Sequence, residues 1–308
     1  MRRPLLIHVG YHKTATTWLQ KVLFTPEHGY RKLLSHAEVF ETLVRPHGLT
    51  FDGSSAKALM AERMAFETKC NVDVISSEIL SGNPFLGGRE SDQFARRLHA
   101  VAPDALILIS IREQFSMMTS LYMQYVSRGG TMSPAAFFAE SPDIGYVSFA
   151  SEHLEFHRLI GLYRWLFGPG QVLVITKEGL DDDCRATLDR IGRFSGNHTP
   201  ICLSGAAAQR LGASYPEYSS VALRRINHFR AGPLNSAPLI DLGAFSGTLY
   251  RATGALARSR PMTRLCGRRR PVATYVGKRF RGRFAHSNRA LKAMLGDRID
   301  LTGYETDE

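Results

Sequence analysis

Two periods of hydrophobicity alternate along residues 4–195. Short, nearly unbroken apolar runs stand at 4–9 (PLLIHV), 72–76 (VDVIS), 105–111 (ALILISI) and 171–176 (QVLVIT). Each is bounded by glycine, proline or polar residues and is too short for a helix, the pattern of a strand buried on both faces. Between these runs apolar positions recur every three or four residues, which predicts helices. Thr17–Phe24 has that character, and 53–70 reads as an amphipathic helix capped by Ser54 or Ser55. Further helices are expected over 91–101, opened by Ser91, and from Gln114 to Ser127, ended by Gly129 and Gly130. Two more run over 149–167, closed by Gly168-Pro169-Gly170, and from a cap at Asp181 to about Phe194. Beyond residue 200 no strand pattern is clear, and helices with basic loops dominate.

Strands alternating with helices indicate βαβ units. The expected fold class is α/β: one domain over 1–308, with a central, mostly parallel sheet, helices on both faces and a helical C-terminal part. Ligands of such sheets bind outside the carboxyl ends of the strands. That rule directs attention to the loops at 10–17, 77–88 and 112–120.

Composition narrows the class. Hydrophobic residues make up 44% and charged residues 22% of the 308, values of a globular chain that exclude disordered and fibrous classes. No apolar run approaches the roughly 20 residues that span a bilayer. The first run contains His8 and meets a glycine turn, so it reads as a strand and not as a signal peptide. Cys70, Cys184, Cys202 and Cys266 show neither CxxC pairing nor ligand spacing with histidine. No metal is expected, and a reduced, cytoplasmic chain is the default.

The net charge of +11 is concentrated in one place. From Arg251 to Arg283 stand eleven Lys/Arg and no Asp or Glu, while the rest of the chain balances at 28 basic against 28 acidic residues. So dense a run is either a solvated surface segment or it meets an anion. The candidates are a polyphosphate-type ligand, an acidic glycan, nucleic acid or an anionic membrane surface.

The loop after the first strand reads Gly10-Tyr11-His12-Lys13-Thr14-Ala15-Thr16-Thr17-Trp18. A strand, a turn and a helix opened by small hydroxylated residues make an anion cradle, with Lys13 as a point charge within it. A Walker A loop would end in Gly-Lys followed by Ser or Thr, and this one does not. The segment resembles the 5′-phosphosulfate loop of the sulfotransferases that use 3′-phosphoadenosine 5′-phosphosulfate, whose form is Tyr-Pro-Lys-Ser-Gly-Thr-Thr-Trp. The departures are His12 for proline and Ala15 for glycine. Alanine still permits close approach as long as its φ stays negative.

The resemblance implies a second element, an arginine just after a later strand and a serine eight positions on, together holding the 3′-phosphate. Arg112 and Ser120 stand in that relation after the 105–111 run. An arginine fork and a compact hydroxyl suit a phosphate. A C-terminal basic loop is implied as well, and Lys278, Arg279, Arg281, Gly282 and Arg283 are similar to it in composition but not in order. The implied activity is sulfuryl transfer to a hydroxyl or amine, with Lys13 neutralising charge on the departing phosphate and no metal required. Lys13, Thr14, Ala15, Thr16 and Thr17 would hold the 5′ end of the nucleotide. Trp18 is either the adenine-stacking residue or a core aromatic.

The general base would be Glu78, at the end of the 72–76 strand, with His12 in reserve because histidine titrates near neutral pH. His8 reads as a satisfied core residue. The acceptor is expected to be a carbohydrate or glycolipid, shaped by a helical subregion over 200–270. Peripheral membrane contact through the basic stretch is compatible with this. Two other functions compete. An ATP-dependent P-loop kinase-like enzyme needs a Walker B aspartate that is not found. A basic nucleic-acid-binding protein needs more interleaved aromatics than Tyr275, Phe280 and Phe284.

Overall fold

The computed structural model describes residues 3–140, 149–201 and 215–307; Cys202 and positions 202–214 of the 200–270 subregion lie outside them. Five strands form one sheet: β1 (Leu5–Gly10), β2 (Tyr30–Leu34), β3 (Val72–Ser76), β4 (Leu106–Ile111) and β5 (Val172–Thr176), in the order β2-β3-β1-β4-β5. All four pairings are parallel. Four of the strands are the apolar runs. The fifth, β2, has the pattern Tyr-Arg-Lys-Leu-Leu and sits at the edge, where charged residues block further pairing. Arg31 reaches from it to Asp73 on β3 with contacts of 2.6 and 2.9 Å.

Alternate residues of each inner strand point to opposite faces, and both faces are covered. Ile7, Val9, Ile107, Ile109 and Val174 join one core with Met117, Leu121 and Ile160. Leu6, Val74, Leu108 and Ile175 join the other with Leu19, Leu23, Leu188 and Ile191. This is the expected α/β architecture, and the described chain beyond residue 215 is helical, from Ser220–Asn227 to Ala285–Leu295.

Several element ends differ from expectation. The helix expected over 53–70 is Ser54–Ala65, and neither serine caps it. Gly53 takes the cap position at φ +72°, and Asp52 accepts from the Ser54 amide. The 149–167 helix begins only at Phe156, because Ser151–Leu154 forms a separate turn. Asp181 lies inside the short helix Lys177–Asp182 and pairs with Lys177, whereas the cap of Cys184–Ser195 is Asp183, which accepts from the Ala186 amide. Helical structure after the first loop is a short Thr16–Trp18 turn widening into a π-helical Leu19–Leu23.

Sheet order brings the candidate loops together. β1 lies between β3 and β4, with His8 level with Ser76 and Gly10 level with Ser110. Three adjacent strands therefore release the loops bearing Lys13, Glu78 and Arg112 side by side. Strand order reverses at β1, the crevice where open parallel sheets bind ligands.

Candidate active site

A buried polar network ties the first loop to the sheet. His8 hydrogen-bonds Ser76 on β3 through Nδ1 (2.8 Å) and Ser110 on β4 through Nε2 (3.0 Å). Ser110 Oγ meets Thr14 Oγ1 at 2.7 Å, and Thr14 also donates to the Tyr11 carbonyl at 2.6 Å. Every member is satisfied, which rigidifies the turn. His8 is the core residue expected, its pKa pushed down to about 3 by burial. Thr14 differs from expectation: it is fully buried, and its hydroxyl is committed to the protein.

The loop backbone is unusual. Lys13 and Ala15 both have φ of +67°, flanking Thr14. The proviso that Ala15 keep a negative φ is not met: the position is left-handed, where a Cβ costs about 1–2 kcal/mol. Alternating handedness of this kind turns successive amides toward one point, an anion-binding nest. Among the described residues the amides of Lys13, Thr14, Ala15 and Thr16 donate to no backbone carbonyl. Gly10 beneath them has no room for a side chain, since a Cβ would lie 2.5 Å from Thr16 Oγ1.

Arg112 and Ser120 are brought together. Arg112 Nη1 donates to Ser120 Oγ at 2.9 Å and to the Lys13 carbonyl at 3.4 Å. The second arm of the pattern thus touches the first. Behind them Tyr304 donates to Glu178 at 2.9 Å, and Glu178 accepts from the Glu113 amide at 3.2 Å, so the chain's C-terminal segment closes this side.

Positive charge is in excess here. Burial depresses the Lys13 pKa, and Arg112 and Arg128 depress it further; Glu78, half-buried at the start of the turn Glu78–Ser81, opposes them. His12 is pushed down to about 3 by burial and by His153, Arg128, Lys13 and His36. The near-neutral titration expected of His12 is therefore lost. Two polar atoms at the loop, His12 Nδ1 and Thr16 Oγ1, are buried with no hydrogen-bond partner. Buried polar groups are seldom left so, and both fit an anionic ligand's oxygens. Thr17 is exposed, and Trp18 is half-buried against the Leu188 side of the core.

The basic tail is less gathered. Arg283 pairs with Glu155 at 2.6 Å and Glu152 at 3.5 Å and donates to Ser151 at 3.0 Å. The Gly282 amide donates to Glu305. Lys278, Arg279 and Arg281 are exposed and form no ion pair among the described residues.

Beside the loop opens a cavity of about 740 Å³, lined by Tyr11, Gly88, Arg89, His153, Glu155 and Arg158 among others. His153 packs on Tyr11 with ring centroids 5.1 Å apart, and its Nε2 is buried without a partner. Sequence reasoning missed Arg128, at the end of the helix that carries Ser120, and His153, Glu178 and Tyr304, which only the fold brings near the first loop.

No family model matches the chain, and no curated protein matches it. Among solved structures, a sulfotransferase from Alicyclobacillus acidocaldarius aligns with a TM-score of 0.49 at 19% identity, over 80% of this chain and 99% of that one. The mouse sulfotransferase SULT7A1, complexed with PAP, aligns with a TM-score of 0.35 at 12% identity, over 91% and 90%. Likenesses this weak assign neither ligand nor reaction.

Proposed function

We propose that the chain is a sulfotransferase moving the sulfuryl group of 3′-phosphoadenosine 5′-phosphosulfate to a hydroxyl or amine acceptor. One observation carries the reading: Arg112 joins Ser120 and the Lys13 carbonyl beside a loop whose amides of Lys13 to Thr16 donate to no backbone carbonyl, and Arg112 and Arg128 both bear on Lys13, where Glu78 opposes them. A ligand with negative charge at both ends relieves that repulsion. In this reading Lys13, the loop amides and the hydroxyls of Thr16 and Thr17 hold the 5′ end. Arg112 and Ser120 hold the 3′-phosphate, Trp18 lies along adenine, and Lys278, Arg279 and Arg281 supply outer counter-charge. Arg283 is assigned to the cavity rim, where its acids hold it.

Transfer forms a bond from the acceptor atom to sulfur as the bond from sulfur to the 5′-phosphate oxygen breaks. The electron pair leaves on that oxygen, where Lys13 and the nest meet it. The acceptor's proton passes to Glu78. His12 is too weak a base near neutral pH and offers its Nδ1 as a ligand contact instead. The cavity supplies the acceptor side in place of the 200–270 stretch. Asp92, Glu140, Glu152 and Glu155 face Arg89 and Arg158 there. That balance favours a neutral, hydroxyl-rich acceptor such as a sugar over an acidic one.

The test is thermal unfolding with adenosine 3′,5′-bisphosphate, ATP plus magnesium, or a polynucleotide. A ligand at 100 times its Kd stabilises by about 2.7 kcal/mol. The bisphosphate alone should do so. A shift confined to ATP, or to the polynucleotide, rejects the assignment.

A further inference from the structure

We propose that residues 239–269 dock on an anionic membrane surface, whatever reaction the active site performs. Between Asp241 and Asp297 the sequence contains no acidic residue. That stretch and the two residues before Asp241 display large apolar side chains that nothing in the described structure covers: Phe245 is 66% exposed and Leu265 75%, with Leu249 and Leu256 beside them, and Leu239 is 77% exposed next to Ile240.

This exposure is built in. The Leu239 amide donates to the His228 carbonyl at 2.9 Å and the Leu242 amide to the Phe229 carbonyl at 3.2 Å, fixing the loop that carries the first of these side chains. The helix Gly243–Ala257 buries a stripe of Ser246, Tyr250, Gly254 and Ala257 against the protein. Phe245, Leu249 and Leu256 fall together on another face by helical spacing. The next helix, Arg260–Cys266, buries no residue at all. It sets Arg260 and Arg264 one turn apart, a like-charge pair that destabilises a helix in water.

Apolar residues among unpaired arginines distinguish the possible partners. Arg260, Arg264, Arg268 and Arg269 form no ion pair among the described residues, whereas Arg270 is held by Glu217 at 3.1 Å. A polynucleotide or acidic glycan would answer the charge and leave the leucines wet. A bilayer interface with anionic headgroups answers both, taking Leu and Phe below the headgroups while arginines meet phosphates.

Sedimentation of the full chain with vesicles tests this. Binding is expected to phosphatidylcholine–phosphatidylserine vesicles, weakened by salt, and not to phosphatidylcholine alone. Each of Arg260→Ala and Arg264→Ala should weaken it about fivefold, from roughly 1 kcal/mol per basic residue at such a surface. Phe245→Ser with Leu249→Ser should weaken it at least as much, with unchanged unfolding temperature. No binding to the mixed vesicles overturns the proposal. So does equal binding to neutral vesicles, or indifference to the Phe245 and Leu249 changes, which would indicate a purely polyanionic partner. A concentration-dependent dimer abolished by those same changes, without vesicle binding, would assign the face to a second copy.

Discussion

Arg112 donates to Ser120 Oγ at 2.9 Å, linking the residue that leaves β4 to the middle of the helix it feeds. The same Arg112 nitrogen touches the Lys13 carbonyl, so the two residues differ in what they support. Ser120→Ala removes one neutral partner and should weaken adenosine 3′,5′-bisphosphate binding about 5- to 10-fold, near 1 kcal/mol. Arg112→Ala removes a charge-assisted fork and frees a left-handed loop, so a loss of about 100-fold is expected. Because the side chains touch, the double variant should lose less than the product of the two. Calorimetric titration of the three variants measures this, and strict additivity would argue against a shared phosphate.

Lys13 and Glu78 separate binding from chemistry. Lys13→Ala should lower kcat by about 100- to 1000-fold, the scale of losing one transition-state donor. Glu78→Gln keeps shape and should lower kcat heavily while bisphosphate affinity changes less than about threefold. Full activity in Glu78→Gln would move the proton elsewhere.

Ala15 and Gly10 are two loop positions with opposite responses. Ala15 holds φ +67° without glycine's freedom, so Ala15→Gly relieves strain and should raise stability by up to about 1 kcal/mol, net of backbone entropy. Gly10→Ala forces a Cβ to within 2.5 Å of Thr16 Oγ1 and 2.9 Å of Ser110 Oγ. It should cost about 1–3 kcal/mol or more. Urea unfolding of both variants checks the pair.

What could be read in the sequence follows what is local. Four strands announce themselves as apolar runs because both of their faces are buried. Helix Gln114–Ser127 is legible to the residue because Gly129, at φ +103°, stops it. Strand β2 escapes because Arg31 and Lys32 interrupt its pattern: Lys32 points to solvent, and the reason Arg31 is tolerated, the buried carboxylate of Asp73, lies 42 positions away. The Lys13, Arg112 and Ser120 set is legible because Lys13 and Arg112 follow strand ends and Ser120 stands at a fixed spacing from Arg112 in the next helix. Arg128 and His153 are not: Arg128 reads only as the end of its helix, and nothing near His153 in sequence marks it. The missed conformation at Ala15 has a different cause: residue type sets a preference for φ, and here the Thr14–Ser110 tether overrides it.

Acid sensitivity tests the buried histidines. His8 and His12 are pushed down to about 3 and His153 to about 4, each mainly by burial, from an ordinary value of 6.5. At pH 5 the native protein leaves all three neutral while the unfolded chain has taken up their protons. The unfolded state therefore binds more protons, and stability rises with pH across the window from about 4 to 6.5. Each histidine contributes a slope approaching 1.4 kcal/mol per pH unit, so three give about 4 near pH 5. His153→Gln should flatten the slope by about one third in denaturant melts between pH 5 and 7. A bound bisphosphate should flatten it further, because negative charge beside His12 offsets the cations that now hold its proton off. An unchanged slope in His153→Gln would mean that its ring is solvated and titrates normally. Flattening by the bisphosphate that survives in His12→Gln would place the anion away from the first loop.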